Sequence, residues 1–394
     1  MRKKLEEIAE VTKLAGFEFT KYVKYIDDGE IIAIRALNLK NGRLVLDDIK
    51  RISKNVSDEL PRSQLHKNDI VLSYTGTIGE TAQIEEDNRY HLAPNVAKIV
   101  PNTDVIDPKF LFQYIRSREF KQQMINYAHG STQPTIPMAT IRELTVPVYD
   151  LKTENRIASI LCSLDSKIEA NIKINQNLFE QLFALYTELI DSADNYSEVE
   201  LGHLCSFQEG YVNPAQSHPE YFEGNVKWLR AVDINESFII NTSRTLTQTG
   251  FESAKKSAYL FPPNTIAISK SGTIGRLGIV DDYMCGNRAV IDIAPKNADH
   301  LPFIYAFLKS QQPVFPDLAV GSVQKNLYVS LLEPLKVKCP QTDTMYTFCN
   351  MGNTLLAEIR NNCRENMRLE ELRDSLLPRL MSGELDVADV DIDH

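Results

Sequence analysis

A short turn with two glycines and several hydrogen-bonding side chains occurs twice in this chain. Residues 69–79 align without a gap with residues 265–275, and in both segments a run of apolar residues leads into Gly-Thr-Ile-Gly. Glycine permits positive φ and a close backbone approach. A single Gly-x-x-Gly turn usually marks a hairpin, but its recurrence predicts a shared binding role. The residues predicted to line the two turn tips are Tyr74, Thr75, Gly76, Thr77, Lys270, Ser271, Gly272 and Thr273.

A second matched loop follows in each half. It reads Gly130-Ser131-Thr132-Gln133 in the first half and Gly321-Ser322-Val323-Gln324, followed by Lys325-Asn326, in the second. Gln and Asn can hydrogen-bond adenine with two bonds, and Lys can reach guanine or a phosphate. The loop could therefore contact DNA, with Ser131, Thr132, Gln133, Gln324, Lys325 and Asn326 as candidate residues. It could equally cap the strand predicted after it, at 144–148 or 335–337.

One arginine stands at the same place in two apolar, β-rich segments. Arg35 follows Ile34, and Arg230 follows Leu229. An arginine within an apolar strand needs a partner. It is either a structural ion pair or a side chain that projects from a sheet edge toward phosphate or base.

Catalytic patterns are missing from the sequence. No Gly precedes a Lys, so there is no P-loop, and the Asn/Asp-Pro-Pro-aromatic element of amino-methyltransferases is absent. The seven histidines and six cysteines show no metal-ligand spacing. The cysteines are expected to be reduced, structural thiols. The sequence therefore predicts a binding and scaffolding protein without catalytic residues, metal or cofactor.

Two long helices must position these loops. Residues 152–191 contain no Gly or Pro, and apolar residues recur three and four apart as in a coiled-coil seam. The seam recurs at 348–380, and its polar positions recur with it, Asn171 and Asn175 in the first helix, Asn362 and Asn366 in the second. We predict an antiparallel pair whose register is set by Asn171 with Asn362 or Asn175 with Asn366. The alternative is that these asparagines are solvated on separate helices.

The repeat divides the chain into five segments. They are two blocks (1–150 and 193–340), two long helices (151–192 and 341–381) and an acidic tail (382–394). Within the blocks, the pattern predicts a strand or turn at 4–9 and 200–205, and one amphipathic helix at 108–120 and at 302–310. The fold class is α/β (α+β), with two β-rich domains alternating with two helices.

The net charge of −10 does not exclude a nucleic-acid partner. The acidic excess is concentrated on the helices and the tail, whereas the blocks are near neutral. Attraction to phosphate depends on local charge. No apolar run is long enough for a membrane span and the charged start is unlike a secretory signal, so a cytoplasmic protein is expected.

Taken together, the order of these motifs resembles the DNA-specificity subunit of type I restriction-modification systems. The resemblance covers essentially the whole chain. It includes Gly76 to Gly79, Gly272 to Gly275, the two Gly-Ser-x-Gln elements and the helix end Leu376 to Leu385. Gly352 and Arg373 depart from it, since they replace the seam residues Leu161 and Leu182 and are expected to loosen the packing of the helix ends.

The resemblance implies two target-recognition domains and an antiparallel coiled coil. Such a subunit binds double-stranded DNA at an asymmetric bipartite site, one half-site per domain, and holds two methyltransferase subunits, which restriction subunits join. S-adenosylmethionine, ATP and Mg²⁺ would belong to those partners. A helix of about forty residues spans roughly 60 Å, which would fix the gap between half-sites.

Two other functions remain open. One is a coiled-coil scaffold whose blocks bind protein without DNA readout. The other is a tandem RNA-binding module, which is less favoured because neither block shows clustered aromatics for stacking single-stranded bases.

Overall fold

The computed structural model describes residues 1–130, 134–192, 195–322, 324–385 and 387. The chain forms two compact units, and each combines one block with parts of both long helices. Unit 1 comprises residues 1–166 and 369–394, and unit 2 comprises residues 167–368.

Unit 1 is built on two four-stranded sheets. One has the strand order β6-β3-β10-β7 and the other β2-β11-β8-β9, while β1 pairs with β12 and β4 with β5. The strands are β1 (Arg2–Lys4), β2 (Ala9–Lys13), β3 (Ile31–Ile34), β4 (Leu39–Lys40), β5 (Arg43–Leu44), β6 (Lys50–Ile52), β7 (Gln64–Leu65), β8 (Ile70–Ser73), β9 (Thr81–Gln83), β10 (Tyr90–Leu92), β11 (Val96–Pro101) and β12 (Thr145–Pro147). The helices are α1 (Leu5–Ile8), α2 (Gly16–Tyr22), α3 (Lys54–Glu59), α4 (Pro108–Ile115), α5 (Arg118–Asn126), α6 (Met138–Glu143) and the long α7 (Leu151–Asp191).

Unit 2 repeats the two main sheets of unit 1. Strand β16 is added to one of them, and among the described residues the β4-β5 pair has no counterpart. Its sheets have the orders β14-β22-β19-β20-β16 and β17-β15-β21-β18, and β13 pairs with β23. The strands are β13 (Tyr196–Glu200), β14 (Cys205–Glu209), β15 (Phe222–Leu229), β16 (Phe238–Ile239), β17 (Thr245–Leu246), β18 (Leu260–Phe261), β19 (Ile266–Ser269), β20 (Leu277–Val280), β21 (Met284–Gly286), β22 (Val290–Pro295) and β23 (Lys336–Pro340). The helices are α8 (Leu201–Leu204), α9 (Gln248–Glu252), α10 (Leu301–Gln311), α11 (Phe315–Leu318), α12 (Val329–Leu332) and the long α13 (Thr342–Ser382).

A fully buried central strand precedes the glycine turn in each block, β8 in unit 1 and β19 in unit 2. All four residues of each strand are buried, because the sheet is covered on both faces. A short run of apolar, β-branched residues satisfies such a position.

Three local predictions need correction. The element at 4–9 is one helical turn, α1, between two strands, and its apolar residues Leu5 and Ile8 are fully buried. The single helix predicted at 108–120 is two helices, because the Ser117 hydroxyl accepts from the Phe120 N–H and starts α5. The β-rich segment that contains Arg35 is not one strand: β3 ends at Ile34, and a 3₁₀ turn follows at Ala36–Asn38.

The asparagine pairing differs from the predicted one. Within unit 2, Asn171 Nδ2 donates to Asn366 Oδ1 at 2.8 Å, and Asn362 Nδ2 donates to Asn175 Oδ1 at 2.9 Å. The pairing of 171 with 366 and 175 with 362 follows from antiparallel helices, in which a later residue of one helix meets an earlier residue of the other. Asn171, Asn175 and Asn362 are buried, so the solvated alternative is wrong.

Gly352 and Arg373, the two departures from the seam, both make close contacts in the structure. In unit 2, a Cβ on Gly352 would lie 2.6 Å from Pro302 Cβ and 3.1 Å from Leu182 Cδ1, so glycine permits this close approach. In unit 1, Arg373 Nη1 lies 2.9 Å from Asp165 Oδ1 on α7. The expectation of looser packing at these positions is wrong.

Among the described residues, no helix combines the length and apolarity that a membrane span requires.

Candidate nucleic-acid interface

The two glycine turns are built in the same way around a buried serine. Ser73 Oγ donates to the Thr77 carbonyl at 2.5 Å and accepts from the Glu80 N–H at 3.0 Å. Ser269 Oγ donates to the Thr273 carbonyl at 2.5 Å and accepts from the Arg276 N–H at 2.8 Å. Both serines are fully buried. The turns are therefore rigid, and Ser73 and Ser269 are positioning residues that we did not single out from the sequence.

The glycines of the turns occupy the left-handed region. Gly76 and Gly272 both have a φ of 79°, and Gly79 and Gly275 both have a φ of 86°. Residues that carry a side chain rarely adopt these φ angles. The equal values in the two units show that the matched sequences form matched turns.

The glycine turn of each unit is hydrogen-bonded to residues directly after the second predicted loop. In unit 1, the Gly76 N–H donates to the Pro134 carbonyl at 2.9 Å, and the Ile136 N–H donates to the Tyr74 carbonyl at 3.0 Å. In unit 2, the Leu327 N–H donates to the Lys270 carbonyl at 2.9 Å. The described residues that follow the second motif are thus bonded directly to the first motif in both units.

A third segment, which the sequence analysis missed, joins them. In unit 1, the Tyr74 N–H donates to the Asn95 carbonyl at 3.3 Å, and the Ala93 N–H donates to the Ile34 carbonyl at 3.0 Å. Asn95 has a φ of 72°, and the Pro94-Asn95 pair is a turn signal that would have marked this segment.

Unit 2 repeats these two bonds at equivalent residues. The Lys270 N–H donates to the Ala289 carbonyl at 2.7 Å, and the Asn287 N–H donates to the Leu229 carbonyl at 2.9 Å. Each unit therefore assembles four segments, which we call its loop edge. It comprises 35–38, 74–79, 93–95, 129–130 and 134–136 in unit 1, and 230–233, 270–275, 287–289, 320–322 and 324–327 in unit 2.

Tyr74 does not line the turn tip. Its side chain is 8% exposed and packs in the hydrophobic core of unit 1. Burial raises the pKa of its hydroxyl. Thr75 is half-buried, and its hydroxyl accepts from that of Thr135 at 3.3 Å. Gly76 and Thr77 form the tip, with Thr77 exposed.

Lys270 is also not a free side chain at the tip. Its ammonium lies 2.9 Å from Glu209 Oε2 and 4.6 Å from the centre of the Tyr328 ring, and the side chain is 12% exposed. The ion pair neutralises the charge that a phosphate would bind. Gly272 and Thr273 form the exposed tip, and Ser271 is half-buried.

Of the second loop, unit 2 presents the exposed residues Gln324 and Lys325. Asn326 is half-buried and its amide donates to the Gln324 carbonyl at 3.0 Å. The unit 1 candidates Ser131, Thr132 and Gln133 lie outside the described residues.

The two matched arginines are held by protein partners. Arg35 Nη2 lies 3.1 Å from Asp48 Oδ2. Arg230 Nη2 donates to Ser243 Oγ at 2.5 Å, and its guanidinium lies 5.5 Å from the centre of the Trp228 ring. Both arginines follow a strand rather than lying inside one. Arg230 Nε also lies 3.6 Å from Asp233 Oδ2. Of the two alternatives, the structural ion pair therefore describes both arginines.

The loop edges consequently differ in chemistry although their frameworks match. Unit 1 exposes the hydroxyl of Thr77 and the amide of Asn95, whereas unit 2 exposes Arg288 and Lys325. Such groups can hydrogen-bond base edges and, in unit 2, attract phosphate.

Comparison with known proteins decides the family. The model of the type I restriction modification DNA specificity domain matches residues 1–179 and again residues 193–346. The chain belongs to this family of DNA specificity proteins. The two matches coincide with the two halves of the repeat, and they confirm the resemblance seen in the sequence.

Named relatives in this family cover nearly the whole chain. The chain is 24% identical to the type I restriction enzyme HindI specificity subunit of Haemophilus influenzae, covering 94% of this chain and 96% of the relative. It is also 24% identical to the MjaIX specificity subunit of Methanocaldococcus jannaschii, covering 98% and 94%.

A solved structure shares the fold. The crystal structure of a type I restriction-modification S subunit from M. genitalium matches with a TM-score of 0.53 at 15% identity, covering 96% of this chain and 95% of that one. The mixed α and β fold with two long helices, predicted from the sequence, is confirmed.

Proposed function

We propose that this chain is the DNA-recognition subunit of a type I restriction-modification complex, and that each unit recognises one half of an asymmetric, bipartite DNA site. The observation that supports this most directly is the loop edge, which is built twice by equivalent backbone hydrogen bonds but carries different side chains in each copy. One framework with two sets of donors and acceptors is what two different half-sites require.

The chain would recognise DNA and leave the chemistry to its partners. We propose that two methyltransferase subunits bind the long helices, since a twofold repeat offers two equivalent surfaces and therefore two places for one partner. Restriction subunits would join this core. A complex that acts on cellular DNA would work in the cytoplasm.

The gap between half-sites is proposed to depend on the long helices. Helices α7 and α13 have 41 residues each, and a helix of that length spans roughly 60 Å and does not stretch easily. Two readers on such helices would accept one spacing. A protein-binding scaffold without DNA readout has no comparable support, because it does not explain the different side chains on matched edges.

A block exchange tests the proposal. Residues 193–340 are replaced by the equivalent block of a relative, the chain is expressed with its methyltransferase, and methylated genomic positions are sequenced. We expect one half of the methylated motif to change and the other half to persist. A change in both halves, or in neither, would contradict the division of recognition between the blocks.

The assembly is tested by native mass measurement of the purified complex. Two methyltransferase subunits per chain are expected. A stable complex with one methyltransferase would contradict the proposed use of both repeats.

A further inference from the structure

The 3₁₀ turn at the start of each loop edge is held by a buried polar residue. In unit 1, the Arg35 N–H donates to Asn38 Oδ1 at 3.1 Å, and the Asn38 N–H donates to the Arg35 carbonyl at 2.8 Å. The Asn38 amide also donates to the carbonyls of Val45 and Asp48, both at 2.9 Å. Asn38 is buried, so the turn is fixed from beneath.

The equivalent turn of unit 2 uses Asp233 in the same way. The Arg230 N–H donates to Asp233 Oδ2 at 2.9 Å, and the Asp233 N–H donates to the Arg230 carbonyl at 2.9 Å. The Ser243 N–H donates to the other carboxylate oxygen at 2.8 Å. Both turns are thus rigid platforms for the residue at their tip.

That tip residue is apolar and exposed in both units. Leu37 is 77% exposed and Val232 is 71% exposed. A single exposed apolar residue is ordinary. Here the two occupy equivalent positions in a repeated turn, on a framework that would hold any polar residue as well. An exposed apolar side chain at the same position in both units indicates that a binding partner covers it.

The tips belong to the loop edge. The strand that precedes each turn is joined to the next segment of the edge by the Ala93-to-Ile34 bond in unit 1 and by the Asn287-to-Leu229 bond in unit 2. Arg288, which is exposed, lies in that next segment of unit 2. In unit 2, a ligand that covers the edge would therefore meet the apolar tip and a cation together.

We propose that Leu37 and Val232 contact DNA bases directly, each placing its methyl groups against the 5-methyl group of a thymine in the major groove. The inference rests on the proposed function and adds two specificity residues to it. Aliphatic contact with the thymine methyl distinguishes thymine from cytosine, which lacks that group. Leucine and valine differ in reach, so the two turns would favour different base positions.

DNA fits these tips better than a protein partner does. Two copies of one protein would select the same surroundings in both units. The exposed residues of the two loop edges instead differ, with Thr77 and Asn95 in unit 1 and Arg288 and Lys325 in unit 2. Difference on a shared framework is the expectation for two half-sites.

The test uses the full-length chain with its methyltransferase subunits and duplex DNA carrying a randomised segment. Bound duplexes are selected and sequenced for the wild type, Leu37→Ser and Val232→Ser. The exchanges Leu37→Val and Val232→Leu serve as conservative variants. Tyr283→Ser, at an exposed position outside the long helices and the loop edges, is a matched control for loss of an exposed apolar side chain. Thermal unfolding of each variant checks the fold.

We expect Leu37→Ser to lose the preference for thymine at one position of one half-site and Val232→Ser at one position of the other half. Affinity for the wild-type motif should fall about 5- to 100-fold, with binding to unrelated duplex unchanged. The conservative exchanges should weaken the same two positions, and Tyr283→Ser should select the wild-type motif.

Two results would overturn the inference, and they differ from failure of the proposed function. If the wild type selects a bipartite motif and both serine variants select the same motif with equal affinity, the tips do not touch bases. If the variants lose affinity for all duplexes alike, the contact is not specific. If the wild type selects no motif, the proposed function itself fails.

Discussion

Asn362 Nδ2 donates a hydrogen bond to Asn175 Oδ1 at 2.9 Å between two buried side chains of the long helices. The Asn175 Nδ2 atom in turn lies 3.4 Å from the Ile359 carbonyl oxygen and 3.4 Å from Cys363 Sγ. A shift of one helix along the other would leave these amides buried without partners, which costs free energy that apolar seam residues do not impose.

The first prediction concerns this pair. Asn362→Leu leaves the Asn175 oxygen without its donor and should lower the free energy of unfolding by about 1–3 kcal/mol. The double variant with Asn175→Leu should cost less than the sum of the two single variants, because neither helix then buries an unpaired amide. Denaturant titration measures both. Asn177→Leu, at an exposed position of α7, is the control, and additive effects would show that the two amides are not coupled.

The same seam should set the spacing of the two half-sites. Replacing Asn171, Asn175, Asn362 and Asn366 with Leu is expected to raise the thermal stability and to loosen the preference for one spacer length, because apolar seams tolerate sliding. Binding to duplexes with altered spacers measures the preference. Unchanged stability together with an unchanged preference would refute a role in register.

A second prediction concerns Asp165 in unit 1, which accepts from Arg116 at 2.5 Å and from Arg373 at 2.9 Å. Burial acts to raise the pKa of Asp165, but Arg116, Gln113 and Arg373 together outweigh burial and hold this pKa below its usual range. A depressed pKa contributes stability above the unfolded value of about 3.9, and this contribution is lost as the pH falls through the folded pKa.

Asp165→Asn should therefore destabilise the protein at pH 7, and the difference from the wild type should shrink as the pH falls below about 4. Thermal unfolding across this range measures it. Asp58→Asn removes an exposed partner of Lys54 and should change stability by at most about 0.5 kcal/mol. A deficit for Asp165→Asn that is independent of pH would contradict the ion-pair account.

A third prediction concerns a carboxyl group whose pKa is raised rather than lowered. Asp292 is buried in β22, and one of its carboxylate oxygens has no hydrogen-bond partner among the described residues. Burial raises the pKa of Asp292 to about 7, and the hydrogen bond with Thr265 lowers this pKa by less than burial raises it. The unfolded chain ionises at about pH 3.9, so stability is lost as the pH rises from there toward the folded pKa. Asp292→Asn should raise the melting temperature at pH 8 and change it little near pH 3.5. The exposed Asp299→Asn is the control, and an equal gain at both pH values would rule out titration.

The fourth prediction separates Lys270 from Lys325. Because Lys270 is paired with Glu209, Lys270→Ala should leave that carboxylate half-buried without its cation and lower the stability of unit 2. Lys325 is exposed on the second loop, so Lys325→Ala should keep stability and weaken binding to all duplexes, with the salt slope reduced by about one unit. Salt-dependent binding and thermal unfolding distinguish the two. A sequence-specific loss for Lys325→Ala would instead indicate a base contact.

The sequence alone determined the repeat, the two long helices and the two glycine turns. These features depend on residues close together in the chain. Apolar residues three and four apart define α7 and α13, and the Gly-Thr-Ile-Gly turns need only their own glycines at positive φ. Their recurrence also carried the family resemblance.

The tertiary structure decided which side chains remain free at the loop edges. The burial of Tyr74 and the pairing of Lys270 with Glu209, which is 61 residues away in the chain, depend on packing between distant segments. So do the bond that brings Asn95 to Tyr74 and the choice of Asn362 as the partner of Asn175. Spacing along the chain identifies the interactions that a residue type can make. Only the fold determines which partner it contacts, because long-range contacts are not encoded in any local pattern.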